Sequence, residues 1–558
     1  MPLKMKNKLA IFLSLLAWAS ALPAAPSGEP RPAAPDLVLL VVVDQLRGDM
    51  PWRFEERFGE GGFRYLIEQG ASFRNAQFAH ANTITAAGHA TLVTGGNPRE
   101  HGLAANEWFD PERGRPVYCM EDPAYKELTA AGPQEPGVTE GRSPRNLHSS
   151  TFGDELVMAS GGRSRVFSVS LKDRSAIIMG GRLGKAYWYS KGSGQFVSST
   201  YYHAEQPAWM RDWNAGNPAD RFTEAPWELL LDRESYVFAQ RDDRPWERPD
   251  ADLGRRFPHP LAHNDPQLRY AKLRDTPMAD ELTLDFVRAL VAAEQPGRRG
   301  ATDVLAVSFS ATDYIGHAFG PYSLEAEDNL LRLDRTLAAL LQLIDREVGL
   351  ARTLVVLASD HGVAPAPEFA AAQGFEADRH DPAYFMPRLS DALQARFETD
   401  EPLLLTFQKP GIWLDSAAVA RAGLDLEVVE RALAAEVARL PGFRGAYARS
   451  DLLAGRITPS AEAQRVAAAF HPARSGNVYV VPEPYWYLDK DPEGNAAMHG
   501  TQYPFDTHVP LMLAGPGIGH SEVYREVAPR DLAPTISLYL GIALPTAAVG
   551  LPLREVLE

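Results

Sequence analysis

The chain has 558 residues, 45% of them hydrophobic, with 56 basic and 72 acidic side chains for a net charge of −16. That length and balance exclude a fibrous or low-complexity chain and allow a sizeable core, in one large domain with insertions or in two to three domains. The acidic excess excludes a basic footprint for wrapping nucleic acid, so an anionic substrate must be met by metal ions or by a few placed cations.

Lys4, Lys6 and Lys8 precede an apolar stretch from Leu9 to Leu22 with a small-residue exit at Ala19-Ser20-Ala21. This reads as a signal peptide over residues 1–21 followed by a short linker over 22–35, too short for a stable membrane anchor. The expectation is a periplasmic or secreted protein. Cys119 is the single cysteine, which excludes an intrachain disulfide and a thiolate metal cluster. A metal site here needs histidine and carboxylate ligands.

From residue 36 onward the pattern predicts an α/β fold, a mostly parallel central sheet flanked by helices. "PDLVLLVVVDQ" at 35–45 is an unbroken apolar run of the kind buried on both faces of a sheet, and it stops at Asp44. "ANTITAAGHATLVTG" at 81–95 predicts a helix opening near Thr85, with His89 one turn inside as a residue that packs or supports a ligand rather than binding metal itself. "SVSLKDRSAII" at 168–178 reads as a strand end, in which Lys172 and Arg174 share a face and Asp173 points away. "DVLAVSFSATD" at 303–313 and "TLVVLASDHG" at 353–362 repeat the first run, ending near Asp313 and Asp360. Between them Leu330, Leu333, Leu337, Leu340, Leu341 and Ile344 recur at helical spacing behind Ser323. Strand, helix and strand in that order predict crossover connections. The stretches at about 185–300 and about 370–490 break the rhythm and read as insertions capping the sheet.

Ligands of open parallel sheets gather beyond the carboxyl ends of the strands. Asp44, Asp313, His317, Asp360, His361 and His499 therefore converge on one rim, and three carboxylates with three imidazoles suit two divalent ions such as zinc. Without cations, clustered carboxylates repel and raise one another's pKa. Thr85, at a helix N-terminus on that rim, is placed to act as a metal-activated nucleophile. Each part has a plainer alternative: an N-cap hydroxyl at Thr85, with Thr83 competing for its role; a solvated surface at Lys172 and Arg174; a turn at Asn106. The sharper expectation gives Lys172 and Arg174, with the Asn106 amide, to phosphate oxygens.

These motifs resemble the type I phosphodiesterase/nucleotide pyrophosphatase branch of the alkaline phosphatase superfamily. Within it the chain is most similar to secreted bacterial alkaline phosphatases that use threonine in place of serine. The resemblance runs from Asp44 to "HVPLMLAGPG" and "GLPLREVL" near the end. It implies one zinc ion on Asp313, His317 and His499, and a second on Asp44, Asp360, His361 and Thr85. Thr85 would become phosphorylated, and Asn106, Lys172 and Arg174 would bind the phosphoryl oxygens. The Lys-x-Arg pair marks monoesterases; diesterase relatives lack it. The implied substrates are small phosphate monoesters, with a phosphodiesterase or nucleotide pyrophosphatase on the same site as the alternative. A sulfatase is disfavoured because "YCMEDPAY" around Cys119 lacks the motif such enzymes need. His499 is preferred over His508 as the ligand, since its "HG" turn matches the family. Oligomeric state, and additional Ca2+ ions on the acidic surface, are not readable from the residues.

Overall fold

The apolar run after Asp36 forms the strand Leu37–Val43, each side chain 2% exposed or less. Alternation divides its residues between two cores. Leu37, Leu39, Val41 and Val43 join the Leu330 to Ile344 stripe of helix Leu324–Glu347 on one face of the sheet. Val38, Leu40 and Val42 join Ala86, Ala90 and Leu92 of helix Thr85–Thr94 on the other. Burying one such Val or Leu is worth about 1.5–3 kcal/mol, so this strand anchors both layers.

The computed structural model describes residues 34–133, 141–249, 253–489 and 494–558, with Pro35–Glu558 as one compact unit. The predicted signal peptide and nearly all of the linker lie outside the described residues. The fold is α/β, built on an eleven-stranded sheet. Five neighbouring strands run parallel: Thr353–Ala358, Leu37–Val43, Asp303–Phe309, Val166–Ser170 and Lys185–Ser190. Antiparallel strands flank them, His508–Ala514 on one side and Gln195–Ser199 on the other. The predicted helix over the Leu330 stripe is present, capped by Ser323 Oγ accepting from the Ala326 N–H.

The two irregular segments differ. The stretch from about 185, expected to cap the sheet, instead opens with two sheet strands, Lys185–Ser190 and Gln195–Ser199. Its aromatic residues then fill the core under one face, where Phe196 stacks on Phe286 at 4.2 Å and Trp227 is fully buried. Its Trp and Tyr content therefore reflects packing beneath the sheet rather than a cover over the rim. The later stretch is a module with a separate apolar cluster, including Phe385, Leu389, Leu433 and Val480. It holds a four-stranded antiparallel sheet in the order Leu404–Gln408, Gly411–Leu414, Val478–Pro482, Phe443–Ala448.

Candidate active site

The parallel register sets the strand ends level. Val43 pairs with Phe309 and Val42 with Ala358, so Asp44 and Asp360 leave adjacent strands within two residues of the ladder. The Asp44 N–H still donates to the Phe309 carbonyl at 2.9 Å, which fixes its backbone. Asp313 and His317 lie one turn apart on helix Ala311–Phe319. That helix starts against Asp280, whose Oδ1 accepts from the Ser310 and Ala311 N–H groups at 3.0 and 3.1 Å. Lys172 follows the neighbouring strand Val166–Ser170.

Two groups of possible metal ligands meet here: Asp313 with His317 and His499, and Asp44 with Asp313 and His361. Asp313 Oδ1 is 3.4 Å from His317 Nε2 and 3.6 Å from His499 Nε2. His361 Nε2 is 3.5 Å from Asp44 Oδ1 and 3.4 Å from Asp360 Oδ2. All three imidazoles donate from Nδ1 to a backbone carbonyl, of Ala497, Gly362 and Thr83 for His317, His361 and His499 respectively. That bond selects the tautomer whose bare Nε2 faces the carboxylates. Burial lowers the pKa of His361 and His499, which favours the neutral ring, the ligating form.

The electrostatics call for more positive charge than the side chains supply. Lys172 Nζ lies 2.5 Å from Asp313 Oδ2 and 2.7 Å from Asp44 Oδ2. At Asp313 burial opposes ionisation, but Lys172 and the His317 imidazole outweigh it and hold the carboxyl well below its usual range. At Asp360 burial is likewise overcome, by His361 and His89, which bring it down to about 2. Asp44 goes the other way: burial and the Asp360 charge raise it well above the usual range. One ammonium cannot serve both of its carboxylates equally, and the direction at Asp44 follows from Coulomb repulsion in a dry site. Asp44 Oδ1 and His361 Nε2 are buried lone pairs with no hydrogen-bond partner among the described residues. A divalent cation would supply what they lack, and a mixed N and O donor set fits zinc.

Thr85 is the first residue of helix Thr85–Thr94, 1% exposed, with Ile84 as the N-cap residue. Its hydroxyl does not cap the helix. The Asn106 Oδ1 does so instead, accepting from the Ala86 N–H at 3.0 Å. Gly88 lets this helix come close, since a Cβ there would lie 2.0 Å from the Asp360 carbonyl oxygen. His89 stands behind the site as expected, its Nδ1 3.0 Å from Asp360 Oδ2 and its Nε2 3.1 Å from Ser308 Oγ. Thr83 is committed elsewhere: its hydroxyl donates to the Thr501 carbonyl at 2.7 Å, and its own carbonyl receives His499.

Lys172 and Arg174 correct one expectation. They are not two residues of one strand; Lys172 is the N-cap of helix Asp173–Gly180 and Arg174 lies in its first turn. Both still reach the rim, because a strand-to-helix corner can turn neighbouring side chains to one side. Arg174 Nη2 donates to Thr85 Oγ1 at 3.3 Å. Asp173 faces away, gripped by Arg142 Nε at 2.7 Å and by the Tyr118 hydroxyl at 2.5 Å. His508 stays out of the site, with Nε2 3.0 Å from the Arg74 carbonyl.

Several supporting residues had no visible signal in the sequence. Lys409 Nζ donates to the His499 carbonyl at 2.9 Å, and Arg379 donates to the Asn495 and Ala496 carbonyls at 2.7 and 2.9 Å. Asp506 Oδ2 accepts from Thr501 N and Oγ1 at 2.9 and 2.6 Å. Gln45 donates from Nε2 to Asp313 Oδ1 at 2.9 Å. Only Gln45 carried a hint, its position beside Asp44.

The type I phosphodiesterase/nucleotide pyrophosphatase family model matches residues 38–508. The chain is 34% identical over 532 residues to the alkaline phosphatase PhoV of Synechococcus elongatus, covering 94% of each chain. It is 32% identical over 531 residues to the alkaline phosphatase PafA of Elizabethkingia meningoseptica, again covering 94% of each. The crystal structure of wild-type PafA matches with a TM-score of 0.87 at 32% identity, over 95% of this chain and 100% of that one. With a family match over that span and near full-length relatives at this identity, the chain belongs to the type I phosphodiesterase/nucleotide pyrophosphatase family, a hydrolase branch of the alkaline phosphatase superfamily.

Proposed function

We propose that this protein is an exported alkaline phosphatase that hydrolyses small phosphate monoesters through a phospho-threonine at Thr85, with two zinc ions bound. The observation that carries this is the pair of cations on the rim: Arg174 Nη2 is 3.3 Å from Thr85 Oγ1, and Lys172 Nζ is buried against Asp44 and Asp313. A terminal phosphoryl group offers three non-bridging oxygens to such a pair and to the Asn106 amide. A diester offers two and needs apolar room for its second ester group. The likeness to two alkaline phosphatases over 94% of the chain supports the same reading.

Asp313, His317 and His499 would hold one ion, and Asp44, Asp360 and His361 with Thr85 the other. Bound zinc supplies Lewis acidity, which lowers the pKa of a hydroxyl or a water and stabilises a departing oxygen. Thr85 Oγ loses its proton and attacks phosphorus as the bond to the ester oxygen breaks, and the alcohol leaves. Water then cleaves the Thr85–phosphate bond, releasing phosphate and restoring the hydroxyl. Through both steps Lys172, Arg174 and Asn106 neutralise and orient the equatorial oxygens, the main demand of a loose transition state. The Asn106 side-chain oxygen accepts from the Ala86 N–H, which steadies the carboxamide and leaves its amide N–H groups for the phosphoryl group.

Export rests on the Lys4 to Ala21 pattern, with residues 1–21 as signal peptide, 22–35 as linker and 36–558 as the catalytic domain. No helix among the described residues is long and apolar enough to cross a membrane.

The test is a pair of kcat/KM values, for an aryl phosphate monoester and the matching methyl diester, on zinc-loaded mature protein. A strong monoester preference is expected. Thr85→Ala should abolish turnover while retaining zinc. Lys172→Ala and Arg174→Ala should each lower monoester activity by about 10²–10³-fold, with far smaller losses on the diester. A diester preference, or equal losses on both substrates, overturns the proposal in favour of a phosphodiesterase or nucleotide pyrophosphatase.

A further inference from the structure

Gln45 sits where the two ligand groups meet. It follows Asp44 directly, is 2% exposed and has φ +68, a left-handed backbone that residues with a Cβ rarely adopt. From that conformation its backbone N–H donates to Asp360 Oδ1 at 3.1 Å, while its side-chain Nε2 donates to Asp313 Oδ1 at 2.9 Å. Asp313 Oδ1 is also the oxygen that lies 3.4 Å from His317 Nε2 and 3.6 Å from His499 Nε2. The other carboxamide atom, Oε1, is buried with no hydrogen-bond partner among the described residues. Gly316 makes room for it, since a Cβ there would lie 1.8 Å from Oε1. The carboxylate of Asp313 requires a donor, which fixes which end of the amide faces it.

An uncommon backbone conformation and an unpartnered buried acceptor are both unfavourable, and a simple turn after Asp44 needs neither. Glycine or asparagine would form the turn with less strain. What the glutamine adds is a neutral donor aimed at a carboxylate oxygen beside two imidazoles. A glutamate there would repel Asp313, and a lysine would compete with a bound cation.

We propose that Gln45 is a positioning residue for metal binding. Its carboxamide holds Asp313 so that a free lone pair of Oδ1 faces the ion shared with His317 and His499, and its N–H steadies Asp360 for the second ion. This rests on the two-zinc reading given above. Because φ is positive, Gln45→Gly removes the carboxamide while relieving the backbone and keeping the N–H to Asp360.

The experiment titrates zinc against a competing chelator on metal-stripped, full-length mature protein, for wild type, Gln45→Gly and Gln45→Met. Both variants should bind one of two zinc ions about 10–100-fold more weakly, the range for a lost partner of a metal ligand. The second ion should bind as in wild type, and kcat should recover towards wild type at saturating zinc. Gln45→Met keeps the shape and strain without the donor, so it decides the matter if Gln45→Gly folds poorly. Wild-type zinc affinity in either folded variant overturns the inference. Wild-type protein that binds no zinc, or binds it unchanged after Asp313→Asn, overturns the two-zinc reading itself.

Discussion

Asp44, Asp360 and His361 are fully buried and stand at or just beyond strands that are paired on both sides, whereas His317 keeps 20% of its side chain exposed and His499 is 8% exposed. The first three inherit their positions from the sheet. The others depend on the start of helix Ala311–Phe319 and on the chain around residues 495–501, which is tied down from outside. Lys409 and Arg379, both from the module at about 370–490, donate to carbonyls of His499, Asn495 and Ala496. The Ala496 N–H in turn donates to the His317 carbonyl at 2.7 Å, and the Ala497 carbonyl receives the His317 ring. One half of the rim is thus set by the main fold, and the other is adjustable through an added module. Backbone hydrogen bonds of a sheet open only with global unfolding, while a tethered loop loosens locally.

The largest expected effect comes from attacking the sheet-borne half. Asp44→Asn should lower kcat/KM on a phosphate monoester by at least about 10³-fold, with loss of zinc measured by elemental analysis. Full activity in that variant would break the distinction between the halves. Next in size is the tether: Lys409→Met keeps the stem packed but removes the donor to the His499 carbonyl. Zinc titration should then show one ion weakened about 10–100-fold and the other unchanged. Equal weakening of both ions would mean that the module supports the whole rim.

The smallest effect is a pH dependence that sharpens the same point. Burial pushes the Asp506 carboxyl, which holds Thr501 at the end of the tethered loop, up to about 7. Between the usual carboxylate range and that value the folded protein keeps a proton that the unfolded chain has lost. Unfolding therefore releases a proton, and stability falls as pH rises through this window. Through this one group, about 1 kcal/mol should be lost between pH 6 and pH 7. Denaturant unfolding of wild type and Asp506→Asn at the two pH values isolates it, the variant lacking that share of the slope. Identical slopes would remove Asp506 from the tether.

Much of the fold was legible because burial on two faces leaves a mark in the residues themselves. The run Leu37–Val43 and the Leu330 to Ile344 stripe could hardly have been polar, and they form the strand and helix expected of them. The six carboxylates and imidazoles stand out because three apolar runs end at or near an aspartate, two of them with a histidine close behind. Lys172 and Arg174 are legible by residue type but not in local structure, since a two-residue spacing cannot distinguish a strand end from the first turn of a helix. Asn106 was assigned to the substrate, and its contact with Ala86, 20 residues away, has no sequence signature. The aromatic stretch after residue 185 reads as a cap but packs beneath the sheet, because composition reveals that a segment packs, not against what.

The sequence by itself determined the mostly parallel sheet and the chemical inventory of its rim, because periodicity and residue type are local properties. Tertiary structure decided how that inventory is held. The selected histidine tautomers, the freeing of the Thr85 hydroxyl by Asn106, the bridging position of Gln45 and the clamp from Lys409 and Arg379 each depend on a contact between distant parts of the chain. Such contacts exist only once burial has removed water as the competing partner, so no local pattern can announce them.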